Sequence, residues 1–148
     1  MPELASFTVQ RVDWDARSAD LHLVRRAVFI EEQSVPESLE WDDEDDHSRH
    51  VLATAADGTP IGTGRLKRGC QIGRMAVMRE WRGRGVGATI LRTLLEIART
   101  DGCTSVRLHA QTHAMSFYAR CGFIALGPEF MEAGIPHRTM ELSLASAG

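Results

Sequence analysis

The sequence predicts a mixed α/β fold: a sheet with an antiparallel run, one parallel strand pair, and helices on its faces. Three observations carry this. Arg49–Ala56, Ile61–Lys67 and Gln71–Met78 read as consecutive strands, separated by the turn signals "DGTP" and "RGC". Short spacers of this kind make an antiparallel meander. A helical periodicity follows, with Val86, Ile90, Leu94, Ile97 and Ala98 on one face and Leu91 and Leu95 widening it. "TSVRLHA" then alternates, placing Val106, Leu108 and Ala110 on one side of a strand. The strands before and after the helix should be parallel, joined by a right-handed crossover.

The remaining elements fit around this core. Phe7–Val12 alternates weakly and reads as a first strand. "DLHLVRRAVFIEEQ" places Leu21, Val24, Val28 and Phe29 at helical spacing and ends near Gln33. "SVPESLEWDDEDDHS" carries a proline and an acidic run and reads as a loop. "AMSFYARC" reads as a short helix before Gly122, and two last strands surround "EAGIPH".

The chain has 148 residues, which suits one domain spanning 1–148. A net charge of −3 supplies no basic field for nucleic acid. The N-terminus lacks the apolar region of a signal peptide, and no apolar run is long enough for a membrane span. Cys70, Cys103 and Cys121 are odd in number and form no CxxC, so unpaired cysteines and a reducing cytoplasm are expected. Charge is uneven. Glu40 and Asp42–Asp46 crowd one segment, while Arg65, Lys67, Arg68, Arg74, Arg79, Arg82 and Arg84 dominate the middle and suggest an anionic ligand there.

The place for that anion is "REWRGRGVG". A helix start has unpaired N–H groups and a positive dipole end. Glycines remove the Cβ atoms that would hold a ligand off. Arg82-x-x-Gly85-x-Gly87, between an apolar strand and a long helix, reads as a diphosphate cradle rather than a plain turn. A P-loop would need Gly-Lys-Ser/Thr, which is absent. Gly83-x-Gly85-x-x-Ala88 fits a relaxed dinucleotide turn, so a nucleotide-dependent oxidoreductase is a rival. Yet the next strand ends "LHAQ", without the acid that would hold a ribose.

"RMAVMREWRGRGVGATIL" resembles motif A of the GNAT acetyltransferases, and "AMSFYARCGF" resembles the downstream motif of the same superfamily. They stand in the expected order, and the likeness covers roughly Arg49 to Leu144. "RRAVFIEEQSVPESLEWDDEDD" and "EAGIPHRTMEL" are further similar to the ElaA/YjcF-type branch. The resemblance implies a GNAT fold and transfer of acetyl from acetyl-CoA to a primary amine of a small molecule or peptide, without a metal. It implies that Arg82, Gly83, Arg84, Gly85, Val86 and Gly87 hold the diphosphate. Met75, Ala76 and Val77 would pair with the pantetheine arm beside a bulge that parts two strands. An acyl-CoA-binding module without transfer is the alternative. Relatives are commonly dimers, although no residue here argues for one.

Tyr118 matches the tyrosine that protonates the departing sulfur in many relatives. A core tyrosine is the plainer reading. Candidate bases for the amine are Glu31, Glu32, His109 and His137, with Glu32 and His137 ahead of His109. The acidic run does not have calcium-loop spacing, since His47 and Ala53 stand where glycine and glutamate would be needed. It is expected to be a solvated loop, or a surface that attracts a cationic amine. Cys121 lacks a partner base, so direct transfer is expected rather than an acetyl-cysteine.

Overall fold

The structure, a computed structural model, describes residues 6–144. Seven strands form one sheet: β1 Phe7–Val12, β2 Arg49–Ala55, β3 Pro60–Lys67, β4 Gln71–Val77, β5 Ser105–Gln111, β6 Ile124–Glu132 and β7 Ile135–Ser143. Their order is β1-β2-β3-β4-β5-β7-β6. Every neighbouring pair is antiparallel except β4 and β5. The helices are α1 Trp14–Arg25, α2 Glu37–Glu40, α3 Val86–Thr100 and α4 Met115–Arg120.

α3 buries all seven apolar residues that its periodicity selects. Each large one contributes roughly 1.5–3 kcal/mol by leaving water. Gly64 on β3 permits the close approach: a Cβ there would sit 2.7 Å from Ile90 Cγ2 and 2.7 Å from Leu94 Cδ1. Across the sheet, Val24 and Val28 pack on Ala76. The strands β2 to β4 are therefore covered on both sides, and β2 is buried from His50 through Ala53 instead of alternating. β5 keeps the expected alternation, with Val106, Leu108 and Ala110 inside and Arg107 and His109 outside.

α1 begins earlier than the periodicity suggests, at Trp14, and continues as a π-helical segment over Arg26–Glu32 that ends at Gln33. The acidic segment is not a simple solvated loop. It contains α2 and a 3₁₀ turn over Asp45–His47, and Glu40 and Asp45 are only 3% and 4% exposed. Buried arginines explain this. Arg25 donates to Glu40 Oε2 at 2.9 Å and to Asp45 Oδ1 at 3.0 Å. Arg65 reaches Asp42 and Asp45, each at 2.9 Å. Arg74 lies 3.0 Å from Glu40. The surplus of acids and the surplus of arginines are thus largely one internal network, so Arg65 and Arg74 are engaged by carboxylates rather than exposed to an anionic ligand.

The expectation of unpaired cysteines is also corrected. Cys70 and Cys103 form a disulfide, S–S 2.03 Å. Cys70 closes the turn before β4 and Cys103 lies just before β5, so parallel pairing sets them side by side. No local spacing announces a contact across 33 residues. The argument for a reducing compartment loses its basis. Cys121 is the free cysteine among the described residues. No helix there is long and apolar enough to cross a membrane. Cys103→Ser is expected to cost about 3–4 kcal/mol, from the entropy of the released loop in the unfolded chain. Urea unfolding with and without reductant checks it: reductant should move the parent to the midpoint of the variant and leave the variant alone.

Candidate active site

β4 and β5 pair only at Gln71–Arg107 and Ile72–Leu108. Beyond Ile72 the strands part, leaving Gly73 to Val77 without β5 partners. Between β3 and β4, Thr63 faces Ala76 and Arg65 faces Gly73, so the single residue Gly64 stands opposite both Arg74 and Met75. This is a bulge. At the end of β4 the chain makes a 3₁₀ turn over Arg79–Trp81 and enters α3. Gly85 caps α3 at φ 86, with no side-chain cap. Gly83 also has positive φ, 77. Neither glycine has any atom within 4 Å of where a Cβ would be. The start of α3 is thus backbone that side chains leave uncovered at Gly83 and Gly85, and the free N–H groups of a helix's first turn are where an anion is favoured.

The side chains around this helix start are arranged less simply. Arg82 donates from Nη1 and Nη2 to Glu32, both at 2.7 Å, and from Nε to the Val77 carbonyl at 2.9 Å. Its hydrogen bond is the main cause that holds the Glu32 carboxyl below its ordinary range. Arg79 adds a longer contact to Glu32, 3.6 Å. Arg84 lies over the Trp81 ring at 5.1 Å. The surface hollows beside Trp14 and beside the disulfide include none of these residues.

α4 stands against the start of α3: a Cβ on Gly87 would meet Phe117 Cζ at 3.5 Å. Phe117 packs edge-on against Tyr118, and Tyr118 against Phe123. Burial raises the Tyr118 phenol well above its ordinary range, and Cys121 adds to this. A phenol so placed stays protonated at neutral pH.

His109 and His137 share the face of β5, β7 and β6 opposite the side that buries Val106 and Leu108, with His109 exposed and His137 only 6% exposed. His137 Nδ1 lies 2.7 Å from the Ile135 carbonyl. A carbonyl only accepts, so Nδ1 carries the hydrogen. The other nitrogen, Nε2, lies 3.8 Å from Glu132 Oε2, and His109 Nδ1 lies 2.9 Å from Glu132 Oε1. Phe130 packs against both imidazoles. Gln111, opposite His137 in the ladder, exchanges hydrogen bonds with Gln33 at the end of the π-helical segment. Glu132 escaped the sequence reading. Its signal was the tight Ala133-Gly134 turn, which sets Phe130 opposite His137 and brings Glu132 to the same end of the hairpin. Glu32 is not part of this group; its partners are Arg82 and Arg79. No interaction of Glu31 enters either group.

A glycine-capped helix start beside two parallel strands that separate is the architecture of an acyl-CoA N-acyltransferase. Residues 4–144 match the acetyltransferase (GNAT) domain family. The chain is 37% identical over 125 residues to the uncharacterized N-acetyltransferase YjcF of Bacillus subtilis (strain 168), covering 82% of this chain and 89% of that one. Among solved structures it is similar to Escherichia coli ElaA, with TM-score 0.79, 29% identity, and 90% and 98% of the two chains covered. It is also similar to an acyl-CoA N-acyltransferase from Pseudomonas aeruginosa, with TM-score 0.77, 28% identity, and 93% and 98% covered. The chain belongs to the GNAT acetyltransferase family, on its ElaA/YjcF-type branch. Its cosubstrate is accordingly an acyl-CoA.

Proposed function

We infer that the protein transfers the acetyl group of acetyl-CoA to a primary amine, by direct attack while both substrates are bound. The observation that carries this is the separation of β4 from β5 beside the glycine-capped start of α3. Bound acetyl-CoA supplies the acetyl group already activated as a thioester. The backbone from Arg82 to Gly87 holds the diphosphate, and Met75, Ala76 and Val77 line up with the pantetheine arm. A β4 N–H freed by the bulge donates to the thioester carbonyl and stabilises the charge that develops there.

Tyr118 donates a hydrogen bond from its O–H to the departing sulfur. Burial raises its pKa, which keeps the phenol protonated at neutral pH and therefore available as that donor. For the amine proton, His137 is better suited than Glu32. Glu32 is held ionised by Arg82 and binds a proton weakly. His137 offers Nε2, with Glu132 near enough to stabilise the resulting imidazolium and to draw in a cationic amine. His109 supports Glu132 through its hydrogen bond.

The test is thiol release from acetyl-CoA across a panel of primary amines. Release that depends on the amine supports transfer; tight binding without such release would leave only a binding module. Tyr118→Phe is expected to lower kcat by about 10²-fold while acetyl-CoA affinity stays within about threefold. Steady-state kinetics with calorimetry check this, and unchanged turnover removes Tyr118 from the reaction.

A further inference from the structure

The β4 bulge is held in an unfavourable shape. Arg74 occupies φ 50, a left-handed conformation uncommon for a residue with a side chain. Such a conformation persists only where the surroundings over-determine it. Two independent anchors do so here.

The first is on the main chain. Thr63, 1% exposed, donates its hydroxyl to the Arg74 carbonyl at 2.9 Å. This hydroxyl serves a carbonyl at the point where the bulge interrupts the β3–β4 ladder. The second is on the side chain. Arg74 Nη2 donates to the Glu40 carbonyl at 2.9 Å and to Asp42 Oδ2 at 3.3 Å. Its Nε lies 3.0 Å from Glu40 Oε2 but lacks the alignment of a hydrogen bond. Glu40 is itself fixed by Arg25. The acidic segment therefore grips the residue that makes the bulge, within the stretch of β4 that β5 leaves unpaired.

We propose that Arg74 and Thr63 are positioning residues for acyl transfer, and that Glu40 and Asp42 act through Arg74 to aim the β4 N–H groups at the thioester carbonyl. This rests on the acyl-CoA reading of the cleft given above. The acids of this segment then serve the reaction from inside the fold. Glu40 and Asp42 are not free to attract a cationic amine, because their carboxylates are already occupied by arginines.

The test reads the carbonyl itself. Acetyl-CoA carrying ¹³C at the thioester carbon is bound to the protein and its carbonyl stretch is recorded by infrared difference spectroscopy. Parent protein should shift the band to lower frequency, as a donated hydrogen bond polarises C=O. Thr63→Val keeps the shape of the side chain but loses the hydroxyl. Arg74→Gly accepts positive φ freely but loses the grip, while Glu40 retains Arg25. Both should lose most of the shift and lower kcat by up to about 10²-fold, the scale of a small misplacement at the reacting centre. Affinity for free CoA, which has no thioester carbonyl, should stay within about threefold. A role confined to stability would lower the melting temperature and leave the band in place. The proposal is overturned if both variants bind CoA normally and keep the parental shift. It is also overturned if parent protein binds acetyl-CoA with an unshifted band. Absence of CoA binding in the parent would instead overturn the reading on which it rests. Should Arg74→Gly fail to fold, Thr63→Val decides alone.

Discussion

Gly85→Glu should bind acyl-CoA at least ~10²-fold more weakly than the parent while remaining folded. Gly85 holds φ 86 at the start of α3, and a Cβ there enters open space. The backbone penalty is then on the order of 1–2 kcal/mol, the usual cost of the left-handed region. The larger effect is electrostatic. A carboxylate at this point takes the place of the diphosphate at the positive end of the helix and repels what remains. Gly85→Ala carries the conformational penalty without the charge, so it should lose much less affinity. Calorimetry with CoA and acetyl-CoA, beside circular dichroism, separates the two effects. Parental affinity in Gly85→Glu would mean that the diphosphate binds elsewhere.

Asp45→Ala should destabilise the fold by about 3–5 kcal/mol, the range for breaking a buried ion pair from one side. Asp45 Oδ1 accepts from both Arg25 and Arg65, which are 1% and 2% exposed. Its removal takes one carboxylate from two buried guanidinium groups at once, leaving Arg25 with Glu40 and Arg65 with Asp42. The exposed neighbour Asp43 is the control, and Asp43→Ala should change stability by no more than ~0.5 kcal/mol. Urea unfolding of the two variants checks this; equal midpoints would show that the network adds little. The same network gives an acid signature. Burial disfavours the charged form of Asp42, but the hydrogen bond and charge of Arg65 outweigh it and bring the carboxyl to about 2. A depressed carboxyl stabilises the fold above its unfolded pKa, so this contribution is complete above about pH 4 and is lost as pH falls toward 2. Asp45, with a lowered pKa, acts in the same direction. Glu40 acts in the opposite one: burial raises its pKa, so its contribution is fullest at low pH and declines as pH rises through the folded value.

The parts legible in the sequence were those that depend on near neighbours. Alternation in β5, the apolar stripe of α3 and the run from Arg82 to Gly87 are all statements about residues a few positions apart. The antiparallel meander followed from short turns, and the parallel pair from the intervening helix. Contacts across long separations were not legible. Glu32 meets Arg82 across 50 residues, His109 meets Glu132 across 23, and Cys70 meets Cys103 across 33. Composition announced the charges of the acidic run and of the arginines but not that they would neutralise each other. Which acids turn inward is decided by α1 and α2 closing over the same face of the sheet.

Periodicity and turn chemistry alone thus determined the order of strands and helices along the chain and the glycine turn into α3, because hydrogen bonding along a helix or strand is set by local spacing. The tertiary structure alone decided how the charges pair, where the cysteines meet, and that Arg74 takes a positive φ between Thr63 and the acidic segment. Those outcomes depend on which distant segments are pressed together when the apolar faces leave water, and no short stretch of the chain encodes them.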